Sequence, residues 1–125
     1  MARILCVEDN ADNLMMLQRR LTRRGFEVTI SMNGAECVGW AKTLLPDLIV
    51  MDLNLPGLDG WEATRRLKNQ PETKHIPIIV LTAEYTQKSR EKALAVGCDE
   101  FALKPIDFEG LVGKIQSLLG PSATP

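Results

Sequence analysis

The chain has 125 residues, of which 45% are hydrophobic and 25% are charged, and its formal net charge is −1. This length and composition fit one globular domain with a single core. The near-neutral charge gives no electrostatic reason to expect nucleic acid or a membrane surface as a partner. No apolar run reaches the roughly 18 residues that a membrane-spanning helix needs. Three cysteines without a CxxC spacing are typical of reduced thiols in a cytoplasmic protein.

Short apolar runs alternate with amphipathic segments along the whole chain. The runs predict strands at residues 4–7, 26–30, 48–51, 76–81 and 100–103. Helices are expected over residues 11–24, from a capping motif at 33–36 to Pro46, from a second capping motif at 59–62 onward, over 86–96 and over 108–119. In the second helix Val38, Ala41 and Leu45 are predicted to share a face. In the third, Trp61, Thr64 and Leu67 are predicted to point inward.

The alternation of strands and helices predicts an α/β domain with a parallel sheet covered on both faces. The first, third and fourth strands are continuous apolar runs and are expected at the centre of the sheet. The second and fifth strands are more polar and are expected at its edges. The predicted strand order is therefore 2-1-3-4-5, and a site is expected outside the carboxyl ends of strands 1 and 3.

Polar side chains follow four of the five predicted strands. Strand 1 ends in Glu8-Asp9, strand 3 in Asp52, strand 4 in Thr82 and strand 5 in Lys104. Each has an ordinary explanation alone, since an acid or amide can cap a helix, a threonine can end a strand and a lysine can be solvated. The carboxyl ends of parallel strands meet at one edge, so the coincidence of all of them favours a functional site.

The charges of this cluster point to phosphoryl chemistry. Three carboxylates close together repel one another, and one divalent cation together with Lys104 offsets them. Oxygen ligands at a water-accessible edge suit Mg²⁺. A metal ion and a lysine can stabilise a phosphoryl group in transfer, and Thr82 can donate to one of its oxygens. Asp52 is then placed as the nucleophile, and its attack on phosphorus would give an acyl phosphate.

The sequence resembles the receiver domain of a two-component response regulator over residues 3 to about 119. The resemblance rests on Glu8-Asp9, the block Met51–Gly60, Thr82-Ala83 and Lys104-Pro105. It implies a three-layer flavodoxin-like (βα)5 fold, with a receiver domain at residues 1–120 and a flexible tail or linker stub at 121–125.

The resemblance also implies the role of each site residue. Asp52 is the phosphoacceptor, and Thr82 and Lys104 bind the phosphoryl oxygens. Mg²⁺ is held by Asp9, by Asp52 and by the backbone carbonyl of Asn54, with Glu8 acting largely through water.

The implied output is a switch formed by Thr82 and Phe101, which changes the face made by the fourth helix, the fifth strand and the fifth helix. Phe101 can equally be a core residue of its strand. The implied phosphodonor is a sensor histidine kinase or a histidine phosphotransfer protein, whereas the downstream protein partner is not specified. Such a domain is a signalling module and not an enzyme, although it catalyses phosphoryl transfer to Asp52 and hydrolysis from it.

Three other classes fit the sequence less well. An aspartyl-nucleophile phosphatase needs a second acid two residues after its nucleophile, where this chain has Asn54. A flavin- or nucleotide-binding module needs a phosphate loop after strand 1, where Glu8 and Asp9 would repel phosphate. A receiver that has lost phosphorylation would not need the full set of site residues. The sequence leaves open whether the chain is free-standing or part of a longer regulator or hybrid kinase.

Overall fold

A computed structural model describes residues 2–53, 55, 57–83 and 86–120. Within these residues, five strands alternate with five helices. The elements in chain order are β1 (Arg3–Val7), α1 (Ala11–Arg23), β2 (Glu27–Ser31), α2 (Gly34–Leu44), β3 (Leu48–Asp52), α3 (Gly60–Lys68), β4 (Ile78–Thr82), α4 (Gln87–Val96), β5 (Glu100–Leu103) and α5 (Phe108–Leu119). The predicted tail at 121–125 lies outside the described residues.

The five strands form one parallel sheet in the order β2-β1-β3-β4-β5. This arrangement confirms the predicted fold class and strand order. Asp52 of β3 pairs with Leu81 of β4, and Thr82 pairs with Leu103 of β5. The register therefore brings the polar ends of the strands to the same edge of the sheet.

Two layers of helices cover the sheet, one on each face. Strand side chains alternate between the two faces, as the pleat requires. On one face α1 and α5 pack over Ile4, Cys6 and Val50, and on the other α2, α3 and α4 pack over Leu5 and Met51. All five residues of β3 are buried, as the continuous apolar run predicted.

Two strands begin later than the sequence pattern predicted. Phe26 was expected to start β2, but it is buried in the core layer beneath α1 and the strand starts at Glu27. Ile76 was expected to start β4, and it too is buried ahead of the strand. Pro77 lacks an N–H, and its carbonyl accepts a hydrogen bond from Ile49 N at 2.9 Å. The paired part of β4 therefore begins at Ile78.

Side chains of short polar residues cap the helices that lead away from the site edge. Asn10 caps α1 by accepting from Asn13 N at 3.0 Å, so Asn10 and not Asp9 is the N-cap. Asn33 caps α2 in the same way, accepting from Glu36 N at 2.8 Å. These caps satisfy backbone N–H groups that have no partner inside the helix.

The prediction that Leu45 shares a helical face with Val38 and Ala41 is wrong. Helix α2 ends at Leu44, and Leu45 has φ 47° and is 51% exposed. Pro46 follows directly, and a residue before proline is disfavoured in the helical conformation. The chain therefore leaves the helix one residue early and turns Leu45 outward, while Cys37 and Ala41 make the buried face.

The three cysteines are free thiols. Cys6 and Cys37 are buried, and burial raises the pKa of each to about 12. Both therefore remain protonated near neutral pH and act as small core residues. No helix in the described part of the chain is both long enough and apolar enough to cross a membrane.

Candidate functional site

The site is built around Asp52, the last residue of the central strand β3. Its side chain is 1% exposed. The backbone beyond it is fixed to the neighbouring strand, because Leu53 N donates to Leu81 O at 3.1 Å. A carboxylate held by the sheet and removed from bulk water is poised for binding or reaction.

Two further acids reach the same place from the end of β1. The backbone of Glu8 is fixed by a 3.1 Å hydrogen bond from its N–H to Ser31 O. Its side chain is buried, whereas Asp9 is exposed to solvent. One carboxylate oxygen from each of Glu8, Asp9 and Asp52 lies within 4.8 Å of the others.

Lys104 approaches the acids from the end of β5. Its backbone N–H donates to Thr82 O at 2.8 Å, which joins the ends of β4 and β5. Its Nζ donates to Asp52 Oδ2 at 2.9 Å and lies 3.2 Å from Glu8 Oε2. Thr82 is the last residue of β4 and is buried beside them in the sheet. The ends of β1, β3, β4 and β5 thus meet in one polar cluster.

Burial and neighbouring charges shift the pKa values of Glu8 and Lys104. Burial raises the pKa of Glu8 above its ordinary value, and the charge of Asp52 raises it further, while Lys104 opposes both effects. Burial alone would lower the pKa of Lys104. Its hydrogen bond to Asp52 and the charges of Asp52 and Glu8 outweigh burial, so the pKa of Lys104 is raised. Lys104 therefore stays charged at neutral pH and balances one of the carboxylates.

The cluster can hold a metal ion. Its three acids face one lysine, so the set carries excess negative charge when it is ionised. Glu8 Oε2 is buried and accepts no hydrogen bond from the described residues, although Lys104 Nζ is at ion-pair distance. Carboxylate oxygens are ligands for hard divalent cations, and a cation would satisfy both the charge and the open lone pairs. Asn54, the predicted backbone ligand, lies outside the described residues.

Sequence reasoning placed these residues at one edge but did not anticipate all of their contacts. It did not predict that Lys104 would reach Glu8 as well as Asp52. Phe101, the predicted switch residue, lies in β5 opposite Val80 and is half-buried against the core layer under α2, α3 and α4.

The sequence motifs include Gly60, in the block Met51–Gly60 and in the second capping motif, but they do not explain why this position needs glycine. A Cβ atom at this position would overlap the carbonyl oxygen of Asp52. The available signal was glycine in the first turn of a capped helix, where alanine is the better helix former.

The fold and the site together define a doubly wound α/β domain with an acidic, lysine-bridged cluster at the carboxyl edge of its sheet. A family model described as "Response regulator receiver domain" matches residues 4–116. The chain belongs to the response regulator receiver domain family. It is therefore a receiver domain of the two-component type, a class of signalling module.

Several characterised proteins resemble the chain over most of its length. It is 38% identical over 117 residues to the response regulator PleD of Caulobacter vibrioides, a match that covers 94% of this chain but 26% of PleD. It is 35% identical to the polar-differentiation response regulator DivK of Brucella anthropi, covering 94% of this chain and 95% of DivK. The chain thus spans about a quarter of one relative and nearly all of another.

Solved structures give the same fold. The chemotaxis protein CheY4 of Vibrio cholerae superposes with a TM-score of 0.90 at 30% identity, covering 95% of this chain and 99% of CheY4. The receiver domain of the sensor histidine kinase PA1611 of Pseudomonas aeruginosa superposes with a TM-score of 0.88 at 36% identity, covering 95% and 98%. The PA1611 structure has a magnesium ion coordinated in its active site cleft.

Proposed function

We propose that this chain accepts a phosphoryl group on the carboxylate of Asp52 and passes the signal to a protein partner. The observation that carries the proposal is the contact of Lys104 Nζ with Asp52 Oδ2 at 2.9 Å inside a cluster of three carboxylates. A buried acid with a cationic neighbour and further acids beside it is an arrangement suited to transfer of a charged group.

The proposed reaction places each side chain in a definite role. An Asp52 oxygen attacks phosphorus, the bond from phosphorus to the donor breaks, and the donor leaves with that bonding pair. The product is an acyl phosphate. Lys104 stabilises negative charge on the phosphoryl oxygens, and the Thr82 hydroxyl donates to another of these oxygens. Lys104 is already charged and positioned, so little rearrangement is needed.

The cation of this site is proposed to be Mg²⁺. The residues that would hold it are Glu8, Asp9 and Asp52, together with the backbone carbonyl of Asn54. The magnesium ion of the related PA1611 receiver domain supports this choice. Bound Mg²⁺ would neutralise charge on the acids and on the phosphoryl oxygens.

The proposed phosphodonor is the phosphohistidine of a sensor kinase or of a histidine phosphotransfer protein. Similarity to receiver domains of both response regulators and histidine kinases supports such a partner. The receiver domain is proposed to comprise residues 1–120, with the final five residues as a tail or linker.

The proposed output is a change in the face formed by α4, β5 and α5. A groove of about 480 Å³ lies on this face, with Phe101 in its wall and Arg90, Leu94, Ile106 and Lys114 around it. Helix α4 buries Ala93 and exposes most of its remaining side chains. A helix with so little buried area can move at low cost. Phosphorylation would draw Thr82 toward the new charge, and Phe101 would turn into the space beside β4.

Intact-mass spectrometry tests the phosphoacceptor. Incubation with Mg²⁺ and a small acyl-phosphate donor should add one base-labile phosphoryl group to the wild-type chain. Asp52→Asn should remove this labelling, whereas Asp12→Asn, at an exposed position in the first turn of α1, should retain it. Equal labelling of wild type and Asp52→Asn would contradict the assignment.

Amide exchange tests the output face. Phosphorylation should change the protection of amides in α4 and β5 while leaving α2 unaffected, and Asp52→Asn should show no change. Changes restricted to α2 and α3 would contradict the proposed switch.

A further inference from the structure

The first residues of two helices pack against the backbone on either side of the β3–α3 connection, at Leu53 and at Leu58. This connecting segment leaves β3 at Leu53 and enters α3 at Gly60. Near its far end lies Leu58, whose side chain packs against the core layer of α2, α3 and α4. The first residue of α2, Gly34, lies against this same point.

Gly34 is in contact with the backbone of the segment. A Cβ atom on Gly34 would overlap the carbonyl oxygen of Leu58 and would lie 3.3 Å from Ala63 Cβ. The obstructing atom is a main-chain oxygen, which cannot move unless the segment moves. Gly34 is buried, so no solvent layer separates α2 from the segment.

Gly60, the first residue of α3, makes a similar backbone contact at the end of β3. A Cβ atom there would overlap the Asp52 carbonyl oxygen and would lie 2.6 Å from Leu53 Cα. The Gly60 N–H donates to Leu53 O at 3.1 Å. The first turn of α3 thus rests directly on the peptide that joins Asp52 to Leu53.

Backbone conformation does not explain either glycine. The described glycines with positive φ are Gly25, Gly57, Gly97 and Gly120, and neither Gly34 nor Gly60 is among them. Alanine would fit both dihedral angles and is the better helix former. The reason for glycine at these two positions is therefore the close approach of another backbone.

We propose that Gly34 is a positioning residue for the phosphoacceptor, acting from the start of α2 through Leu58 and the first turn of α3, where Gly60 lies against the Asp52–Leu53 peptide. The inference rests on the proposed acceptance of a phosphoryl group by Asp52. Gly34 touches none of the reacting groups. It lets α2 pack directly on the backbone of Leu58, two residues before Gly60, so that the first turn of α3 stays against the Asp52–Leu53 peptide and the Asp52 carboxylate keeps its placement. Small displacements of reacting groups cost large factors in rate.

The direct test is Gly34→Ala, with Gly39→Ala as its matched control. Gly39 lies in the same helix, and a Cβ there meets nothing within 4 Å. Gly34→Ala should slow labelling by a small acyl-phosphate donor about tenfold. It should also weaken Mg²⁺ binding, measured by calorimetry without any donor, and speed exchange of the Gly60 amide. Gly39→Ala should leave all three quantities at their wild-type values.

A second pair of variants decides the matter if Gly34→Ala does not fold. Leu58→Ala removes the side chain that anchors the segment to the core and should produce the same three changes to a smaller extent. Val38→Ala truncates another partly buried residue of the same core layer, in α2, and should not produce them. Leu111→Ala in α5 supplies a destabilised variant from the opposite layer. The labelling rate of Leu111→Ala should fall only in proportion to the fraction of molecules that are unfolded.

The outcomes separate this inference from the proposed function. If the wild-type chain is not labelled at Asp52, the proposed function fails. If the wild type is labelled and Gly34→Ala and Leu58→Ala match their controls in rate, Mg²⁺ affinity and Gly60 exchange, the positioning role alone is overturned. The positioning role would also be overturned if the labelling rate of Gly34→Ala fell only in proportion to its unfolded fraction, as expected for Leu111→Ala.

Discussion

Lys68 of α3 and Asp99, in the turn before β5, form a 2.7 Å ion pair at the edge of the sheet opposite Asp52. The Lys68 side chain is 14% exposed, and its Nζ also donates to Ile76 O at 2.8 Å. Asp99 Oδ2 accepts from Ile78 N at 2.8 Å. The pair therefore fixes the starts of β4 and β5 against the end of α3.

Asp99→Ala should destabilise the chain by about 2 kcal/mol, because it leaves the Lys68 ammonium and the Ile78 N–H without this partner. Glu109→Ala removes the Arg24–Glu109 pair, whose side chains are 40% and 71% exposed, and should cost less than about 1 kcal/mol. Urea unfolding at pH 7 measures both losses. If the two variants lost equal amounts of unfolding free energy, burial of the Lys68–Asp99 pair would not add to its contribution to stability.

Lys104→Met should destabilise the metal-free chain by about 1–3 kcal/mol at pH 7, because Glu8 and Asp52 lose the cation that balances them. The loss should shrink toward pH 4, where Glu8, whose pKa is raised by burial and by Asp52, takes up a proton. Lys88→Met, at an exposed position of α4, is the control and should change little at either pH. A loss independent of pH would contradict a charge-balancing role for Lys104.

Glu8→Gln should stabilise the metal-free chain at pH 7. The folded-state pKa of Glu8 is raised by burial and by Asp52, so the folded chain retains a proton that the unfolded chain releases. Glu8 therefore costs no stability below the unfolded-state pKa of about 4.5. As the pH rises from about 4.5 through the folded-state pKa, Glu8 lowers the free energy of unfolding by a growing amount. Glutamine stays neutral, so the advantage of the variant should be absent near pH 4 and should grow toward pH 7.

Thermal unfolding from pH 4 to pH 8 without divalent cations measures this difference. Mg²⁺ should reduce the advantage of Glu8→Gln, since a bound cation would favour the ionised wild-type acid. Asp9→Asn should show a smaller gain, because Asp9 is exposed and its charge is already hydrated. A Glu8→Gln variant less stable than wild type at pH 7 would contradict the crowded-acid interpretation.

Lys92→Ala should loosen α4, since Lys92 Nζ lies 4.8 Å from the ring centroid of Trp61 in α3. The expected loss of stability is about 0.5–1 kcal/mol. Faster amide exchange in α4 and a red shift of Trp61 emission, measured in a Trp40→Phe background, should accompany it. Lys88→Ala should leave both readouts unchanged. An unaltered α4 exchange rate in Lys92→Ala would show that this contact does not hold the helix.

Much of the fold follows from local pattern in the sequence. Continuous apolar runs such as 48–51 can be satisfied only by burial on both faces, which places β3 at the centre of a covered parallel sheet. Asn33 and Asp59 stand where their side chains can accept from a backbone N–H three residues later, and they cap α2 and α3 as predicted. The strand order then brings Glu8, Asp52 and Lys104 to one edge, because parallel strands share a direction.

The tertiary structure decided the features that depend on distant parts of the chain. Burial of Glu8 beside an exposed Asp9, and the reach of Lys104 to both Glu8 and Asp52, depend on where β1 and β5 lie relative to β3. No periodicity in the sequence encodes these distances. The need for glycine at 34 and 60 likewise arises from backbones that approach across the fold. The sequence determined which residues line the edge of the sheet, and close packing between separate elements determined how they meet there.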